Sequence, residues 1–338
     1  MQDLRFNSSS YHPGELLAKL SPDSAPGPYF YDVFGMPISA PEPIPGLSPV
    51  SRQPGMTSIE IRFGSVPGSI SGVEYSDAAV QASSSECLFD LPGGLRLYVN
   101  PEEQIFIENA GAMQPSAFWG MVLGVSLSVI GLRRGYVPLH ASAVSVEGTA
   151  VALAWQSGYG KSTSAAGLVA SGYQLHADDL CIARMSPGDA PTVGKGPPEL
   201  RLWDEAVEVL EWPESGRYAY LDNISKAVYR LPPGSTSDLT LRRIYGLEFT
   251  DDTARHGIHR LRGFDAMKML MGCLRVRPGL VTLGLQQRLF ENLARIADEV
   301  EVFRFSRPVD SGRVRFWTSH LAEHIGALQG KFSPEPAA

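Results

Sequence analysis

The stretch Ser157-Gly158-Tyr159-Gly160-Lys161-Ser162-Thr163 carries the strongest chemical signal in this sequence. It stands between an apolar run, Thr149 to Ala154, and a helix-forming run that opens at Lys161 and stops at Ser171-Gly172. A strand that feeds a glycine loop into the start of a helix is the context a phosphate-binding P-loop requires. Gly158 and Gly160 permit the positive φ and close backbone approach that a Cβ obstructs. Their N–H groups and the helix N-terminus then face an anion. Lys161 is placed to bridge the β- and γ-phosphates of a nucleoside triphosphate, and the Ser162 hydroxyl to complete a Mg²⁺ shell. The expected nucleotide contacts are Ser157, Gly158, Tyr159, Gly160, Lys161, Ser162 and Thr163, with ATP and Mg²⁺ as cofactors. One position departs from the pattern: a P-loop has a glycine five residues before Gly160, where this chain has Trp155.

Asp178 and Asp179 follow the loop by one helix and one short strand. The helix from Lys161 to Ser171 runs back about eleven residues, or ~16 Å, and Tyr173 to Ala177 returns roughly the same distance at ~3.3 Å per residue. A right-handed crossover makes the two strands parallel, so both aspartates arrive at the edge that carries the loop, where open α/β sheets bind ligands. Two carboxylates beside a triphosphate suggest a division of labour, one holding Mg²⁺ and one accepting the proton of an attacking hydroxyl. On spacing alone His140, ahead of the strand Ala143 to Val146, reads as structural. Ser157 lacks the glycines of a nucleophile elbow, and His256 and His259 lack carboxylates at metal-ligand spacing.

The elements that must position these groups are α/β in texture. Ile59, Ile61 and Phe63, then Leu95, Leu97 and Val99, and then Ile105 and Ile107 alternate as half-buried strands do. They predict a smaller β-rich N-terminal domain over residues 1–135, ending in an apolar helix that opens at Pro115-Ser116 and ends near Gly131, around the apolar run Phe118 to Leu132. Residues 1 to about 55 are rich in Pro, Ser and Gly and read mostly as loop with short extended pieces. Residues 136–330 read as the loop-bearing domain, with helices over Phe264 to Leu274, Leu285 to Asp298 and Arg313 to Ala327 and a strand at Val302 to Phe305. Residues 331–338, with two prolines, are expected to be a disordered tail.

Composition limits the rest. Hydrophobic residues are 43% and charged residues 19% of 338, ordinary for a soluble globular chain. A net charge of −7 with pI near 5.6 argues against a nucleic-acid or anionic-membrane partner. Cys87, Cys181 and Cys273 suit neither a disulfide framework nor a zinc cluster. With no secretion signal at the N-terminus, the expected location is the cytoplasm.

The stretch from Leu139 to Ala183 resembles the catalytic core of HPr kinase/phosphorylase and its HPr-kinase-like serine kinase relatives. The shared features are His140 before a hairpin, the loop Ser157 to Ser162, and Asp178-Asp179 after the crossover. Tyr31-Asp32-Val33-Phe34-Gly35, Pro43 to Leu47, Arg134 to His140, Leu200 to Asp204 and Phe303 to Pro308 look like further segments of the relatives. The resemblance implies a P-loop fold of the HPr-kinase/PEP-carboxykinase type and a phosphotransferase with an alcohol acceptor. It implies Asp178 as base, Ser162 and Asp179 at Mg²⁺, His140 in the active site, and assembly into homo-oligomers. Pro198 to Asp204 stands where HPr kinase carries a glycine-rich segment associated with phosphorolysis, so neither that activity nor HPr as substrate is expected. The acceptor implied is a serine of a peptide or protein, in particular the C-terminal serine of a lasso-peptide precursor. Arg201, Lys226, Arg230 and Arg275 are the cations that could close over the transferring group, with Arg201 and Lys226 favoured. Two alternatives stand beside this reading: a nucleotide-binding module without catalysis, and a kinase for a small hydroxy compound.

Overall fold

The computed structural model describes residues 28–109, 113–221, 225–232, 234–235, 237–276, 280, 284–309 and 313–329. The expected disordered tail at 331–338 and the loop-like segment before residue 28 lie outside the described residues.

Strands β1 (Tyr29–Val33), β2 (Met36–Ala40), β3 (Ile59–Phe63), β4 (Tyr75–Ser76), β5 (Val80–Ala82), β6 (Cys87–Leu91), β7 (Leu95–Val99) and β8 (Ile105–Asn109) form one sheet in the order β1-β2-β3-β8-β7-β6-β5-β4. The alternation read at Ile59, Leu95 and Ile105 buries Ile59, Ile61, Leu95, Leu97, Val99, Ile105 and Ile107 on one face. The short extended pieces read within residues 1 to about 55 are β1 and β2, with loop from 41 to 55. Proline and glycine there serve a tight hairpin, in which Asp32 pairs with Pro37 across the turn Phe34-Gly35.

Helix α1 (Pro115–Arg133) follows, opened by a proline at its first position. It is longer than the apolar run that signals it. By length and composition it could cross a membrane, yet 67% of its apolar window is buried inside the protein. An all-round apolar helix belongs in a core, and α1 lies between two sheets. Phe118 and Trp119 pack on Phe63 of β3, and Gly131 lies against Ile182 on the far side.

The second sheet is built from β9 (Val137–Leu139), β10 (Ala141–Val146), β11 (Thr149–Ala154), β12 (Gln174–Ala177), β13 (Cys181–Arg184) and β14 (Thr192–Val193), completed by later strands. Helix α2 (Lys161–Ala170) connects β11 to β12. The chain then makes a small sheet of β15 (Glu199–Trp203), β16 (Arg217–Leu221) and β17 (Lys226–Arg230), ordered β15-β17-β16, with α3 (Asp204–Leu210) following β15. Next come β18 (Leu239–Phe249), β19 (Gly257–Leu261), α4 (Gly263–Gly272), α5 (Gln286–Glu299), β20 (Glu301–Arg307) and α6 (Val314–Gln329). β11, β18 and β20 are consecutive parallel neighbours. β12 runs in the direction of β11 because both are antiparallel to β10, which separates them.

One buried cluster runs from Tyr31 through Trp119 to Ile182 and Val302, so the hydrophobic core continues across residue 135. The β1–β2 turn seals this junction. Phe34 N–H donates to Lys195 O at 2.6 Å, and Arg184 donates to Gly35 O at 3.1 Å. All three cysteines are buried and unpaired.

Candidate functional site

Three parallel strands deliver their carboxyl ends to one edge. β11 ends in the glycine loop, β18 in Phe249 and β20 in Arg307. β10 runs the opposite way and so starts at that edge, bringing His140 just ahead of it and Ser142 two residues on. β12 ends there in Asp178-Asp179. The edge opens into a cleft of about 280 Å³. Ser157, Gly158, Gly160, Lys161, Ser162 and Thr163 line its phosphate-like pole together with His140, Asp179, Arg201 and Lys226. Ala206, Val209, Val314 and Trp317 line an apolar pole.

The loop folds because its turns fall on glycine. Gly158 has φ 88° and Gly160, at the helix N-cap, φ 77°. At Gly160 a Cβ would also come within 2.7 Å of the Arg307 guanidinium. Trp155, where the pattern calls for glycine, adopts φ 154°. Its indole turns away from the cleft: it lies beside Gly272 and meets Tyr159 edge-on at 6.3 Å. The phosphate pole stays open, and Tyr159 itself stacks on Phe249 rather than lining the cleft.

Lys161 is buried, and its ammonium donates to Gln156 O at 2.9 Å, closing the loop on itself. Burial lowers its pKa to about 8, while Asp179 and Asp178 pull the other way. A cation held by one carbonyl in a poorly solvated cradle gains strongly from an arriving polyanion.

The two aspartates have different surroundings. Asp178 Oδ1 accepts from Ser142 Oγ at 2.5 Å and Ser162 Oγ at 2.9 Å, and its Oδ2 from the Arg201 backbone N–H at 3.1 Å. Asp179 has φ 68°, a conformation aspartate tolerates better than most residues. Its Oδ1 lies 3.2 Å from His140 Nε2 and its Oδ2 accepts from Arg275 at 3.2 Å. Burial raises the Asp179 pKa, but the His140 hydrogen bond and the charges of Arg275 and Arg201 outweigh it and hold the carboxyl far below the usual range. The expectation of Asp178 as base and Asp179 beside Ser162 meets contacts arranged the other way round: the aspartate on Ser162 is Asp178.

The favoured cations both reach the cleft. Lys226 stands over the Trp203 ring at 4.6 Å. Arg201 lines the wall, its guanidinium near Ser116 O and Glu199. Arg230 lies over Tyr218 and does not line the cleft. His256 and His259 bond backbone carbonyls of Thr250 and Arg255 away from it. Among the described residues no group of three or more His, Cys, Asp or Glu could hold a metal. The Ser162 hydroxyl with the Asp178 carboxylate is a hard-oxygen pair of the kind that suits Mg²⁺ when phosphates supply further ligands.

Residue spacing missed Ser142 and Arg307, and it offered Arg275 only as a cation for the transferring group, not as the partner of Asp179. Ser142 was legible in principle, since it lies two residues from His140 and so on the same side of an extended chain. Arg275 reaches Asp179 because its backbone N–H bonds Pro138 O, a pairing across more than a hundred residues. Arg307 donates to Tyr159 O at 2.8 Å and lies over Phe249, with its Nη1 buried and without a hydrogen bond among the described residues. Burial lowers its pKa to about 10.

No family model matches the chain, and no curated protein does. Among solved structures it is similar to the Hpr(Ser) kinase/phosphatase from Coxiella burnetii, at 11% identity over 57% of this chain and 93% of that one, with a TM-score of 0.29. An overlap of that quality leaves the chemistry to be read from the side chains.

Proposed function

We propose that the cleft binds Mg·ATP and that the protein transfers the γ-phosphoryl group to the serine hydroxyl of a peptide or protein. The observation that carries this reading is the placement of Lys161, Ser162–Asp178 and Asp179–His140 at one edge, around the mouth of a glycine loop that opens a helix.

The loop amides and the Lys161 ammonium hold the β- and γ-phosphates. Ser162 and Asp178 would hold Mg²⁺, which when bound neutralises charge on the β- and γ-oxygens. Asp179 accepts the hydroxyl proton, oriented by His140. This exchanges the roles of the two aspartates implied by the motif resemblance, and the Ser162–Asp178 bond supports the exchange. Asp179 is ionised at any working pH; it becomes more basic as the triphosphate offsets Arg275 and Arg201. Arg201 and Lys226 stand where charge spreads over the equatorial oxygens. A lasso-peptide precursor ending in serine is the specific acceptor implied by the motif resemblance.

Incubation of the purified protein with Mg·ATP and seryl peptides, one with an internal and one with a C-terminal serine, should give phosphoserine and ADP by mass spectrometry. Tight ATP binding with no phosphorylated peptide or protein would favour a module that has lost catalysis.

Arg307 should matter to the same cleft without taking part in proton transfer. Arg307→Met leaves Tyr159 O without its donor and removes a buried cation from the loop. Arg307 lines the cleft with its Nη1 unbonded among the described residues; a charge-assisted hydrogen bond from it to the triphosphate is worth ~1.5–3 kcal/mol, so without it ATP should bind roughly 10- to 100-fold more weakly by calorimetry. Unchanged affinity would mean that Arg307 only packs on Phe249.

A further inference from the structure

A second, smaller cavity of about 40 Å³ lies beyond the aspartates from the loop. Asp179 and Arg201 line both cavities, so the two meet at the carboxylate named above as base. One wall is the N-terminal unit, through Phe34 and Leu47, and the other is helix α1.

Two features of this slot point to an occupant. First, α1 is cut back where it faces the slot. A Cβ on Gly120 would collide with the Arg201 guanidinium, and a Cβ on Gly124, one turn later, would meet nothing within 4 Å. Second, two buried donors there have no partner among the described residues: the Ser116 hydroxyl, on a residue 4% exposed, and Arg201 Nε. Buried donors are nearly always satisfied in folded proteins, and unpartnered ones beside a cavity suit a ligand's carbonyl oxygens. The size excludes a sugar ring or a nucleoside. At ~10–15 Å³ for each water-sized group, the slot takes about three such groups, enough for a hydroxymethyl side chain and its Cα.

We propose that this slot is the acceptor port, and that it takes a seryl residue of an extended peptide. Ser116 and Arg201 Nε supply donors to the oxygens of that seryl residue, and the flanking peptide lies outside the slot. This rests on the kinase reading above. The seryl O–H gives its proton to Asp179 while its oxygen bonds the γ-phosphorus. The bond from that phosphorus to the β–γ bridging oxygen breaks, leaving ADP and phosphoserine, and Asp179 then returns the proton to water. The N-terminal unit thereby becomes part of substrate selection.

Gly124→Leu in the full-length protein fills the slot at a position where helix propensity favours the change. ATP affinity by calorimetry should match the parent, while peptide phosphorylation falls at least 100-fold. Gly124→Ala should raise the peptide KM several-fold with kcat and ATP affinity held. This milder variant decides the matter if the leucine variant unfolds. Parent-like peptide kinetics in both variants would overturn the port, whereas a parent that binds ATP and phosphorylates no seryl peptide would overturn the kinase reading on which it rests. A parent that binds no ATP would overturn that reading too.

Discussion

Asp179→Asn is expected to cut phosphoryl transfer by about 10²- to 10⁴-fold, the usual contribution of a positioned general base, with ATP affinity within a few-fold of the parent. Asparagine keeps the size and an acceptor oxygen for Arg275 but cannot take the acceptor's proton. Asp178→Asn should look different. Its carboxylate accepts from Ser142, Ser162 and the Arg201 backbone, so its loss should show first as a raised Mg²⁺ requirement, partly rescued by excess metal. The pair of Mg²⁺ titrations separates the two roles. If Asp178→Asn instead abolished transfer at every Mg²⁺ concentration while Asp179→Asn shifted the metal requirement, the aspartates would have the roles first expected from the motif. Because Asp179 is held far below the usual carboxylate range, it stays ionised through mildly acidic pH. It should therefore add no acid limb to the rate profile in the ligand-free enzyme's kcat/KM.

The glycine loop, its helix and the edge reached by Asp178-Asp179 were legible because they follow from local chain geometry. A strand, a helix and a returning strand of matched lengths bring the groups together whatever lies around them. The division of roles was not legible. It depends on Ser142 and Ser162 meeting the same carboxylate oxygen, and one of those hydroxyls comes from a strand inserted between β11 and β12. Trp155 was legible as a departure but not in its consequence, since whether an indole blocks the cradle depends on where it packs, here beside Gly272 and Tyr159. The N-terminal segment was legible as loop with short extended pieces, but not in where those pieces dock. Proline, glycine and serine mark loops when only local propensity is counted. Here they shape a hairpin whose turn is pinned to Lys195 and Arg184, far along the chain. The same long-range docking places Phe34 and Leu47 at the acceptor slot, which no spacing rule in the sequence foretells.

Lys161→Met tests the anion cradle itself. The ammonium is buried against the loop, so removing it takes away a charge-assisted contact of ~1.5–3 kcal/mol; ATP affinity should fall by roughly 10- to 100-fold, with transfer falling further as the γ-phosphate loses its alignment. The pH dependence gives a sharper signature. In the free protein Lys161 has a pKa of about 8, so it is charged below that pH and increasingly neutral above it. A bound triphosphate favours the charged form and raises the pKa, so binding near pH 8 must take up about half a proton from solution. Affinity should rise by about twofold as pH falls from 8 to 7 and weaken by about fivefold as pH rises from 8 to 9. Calorimetry in two buffers of different ionisation enthalpy reads the uptake directly. In Lys161→Met both the uptake and the alkaline loss of affinity should vanish. If Lys161→Met bound ATP as tightly as the parent, the triphosphate would not be resting on this lysine, and the loop would not be its cradle.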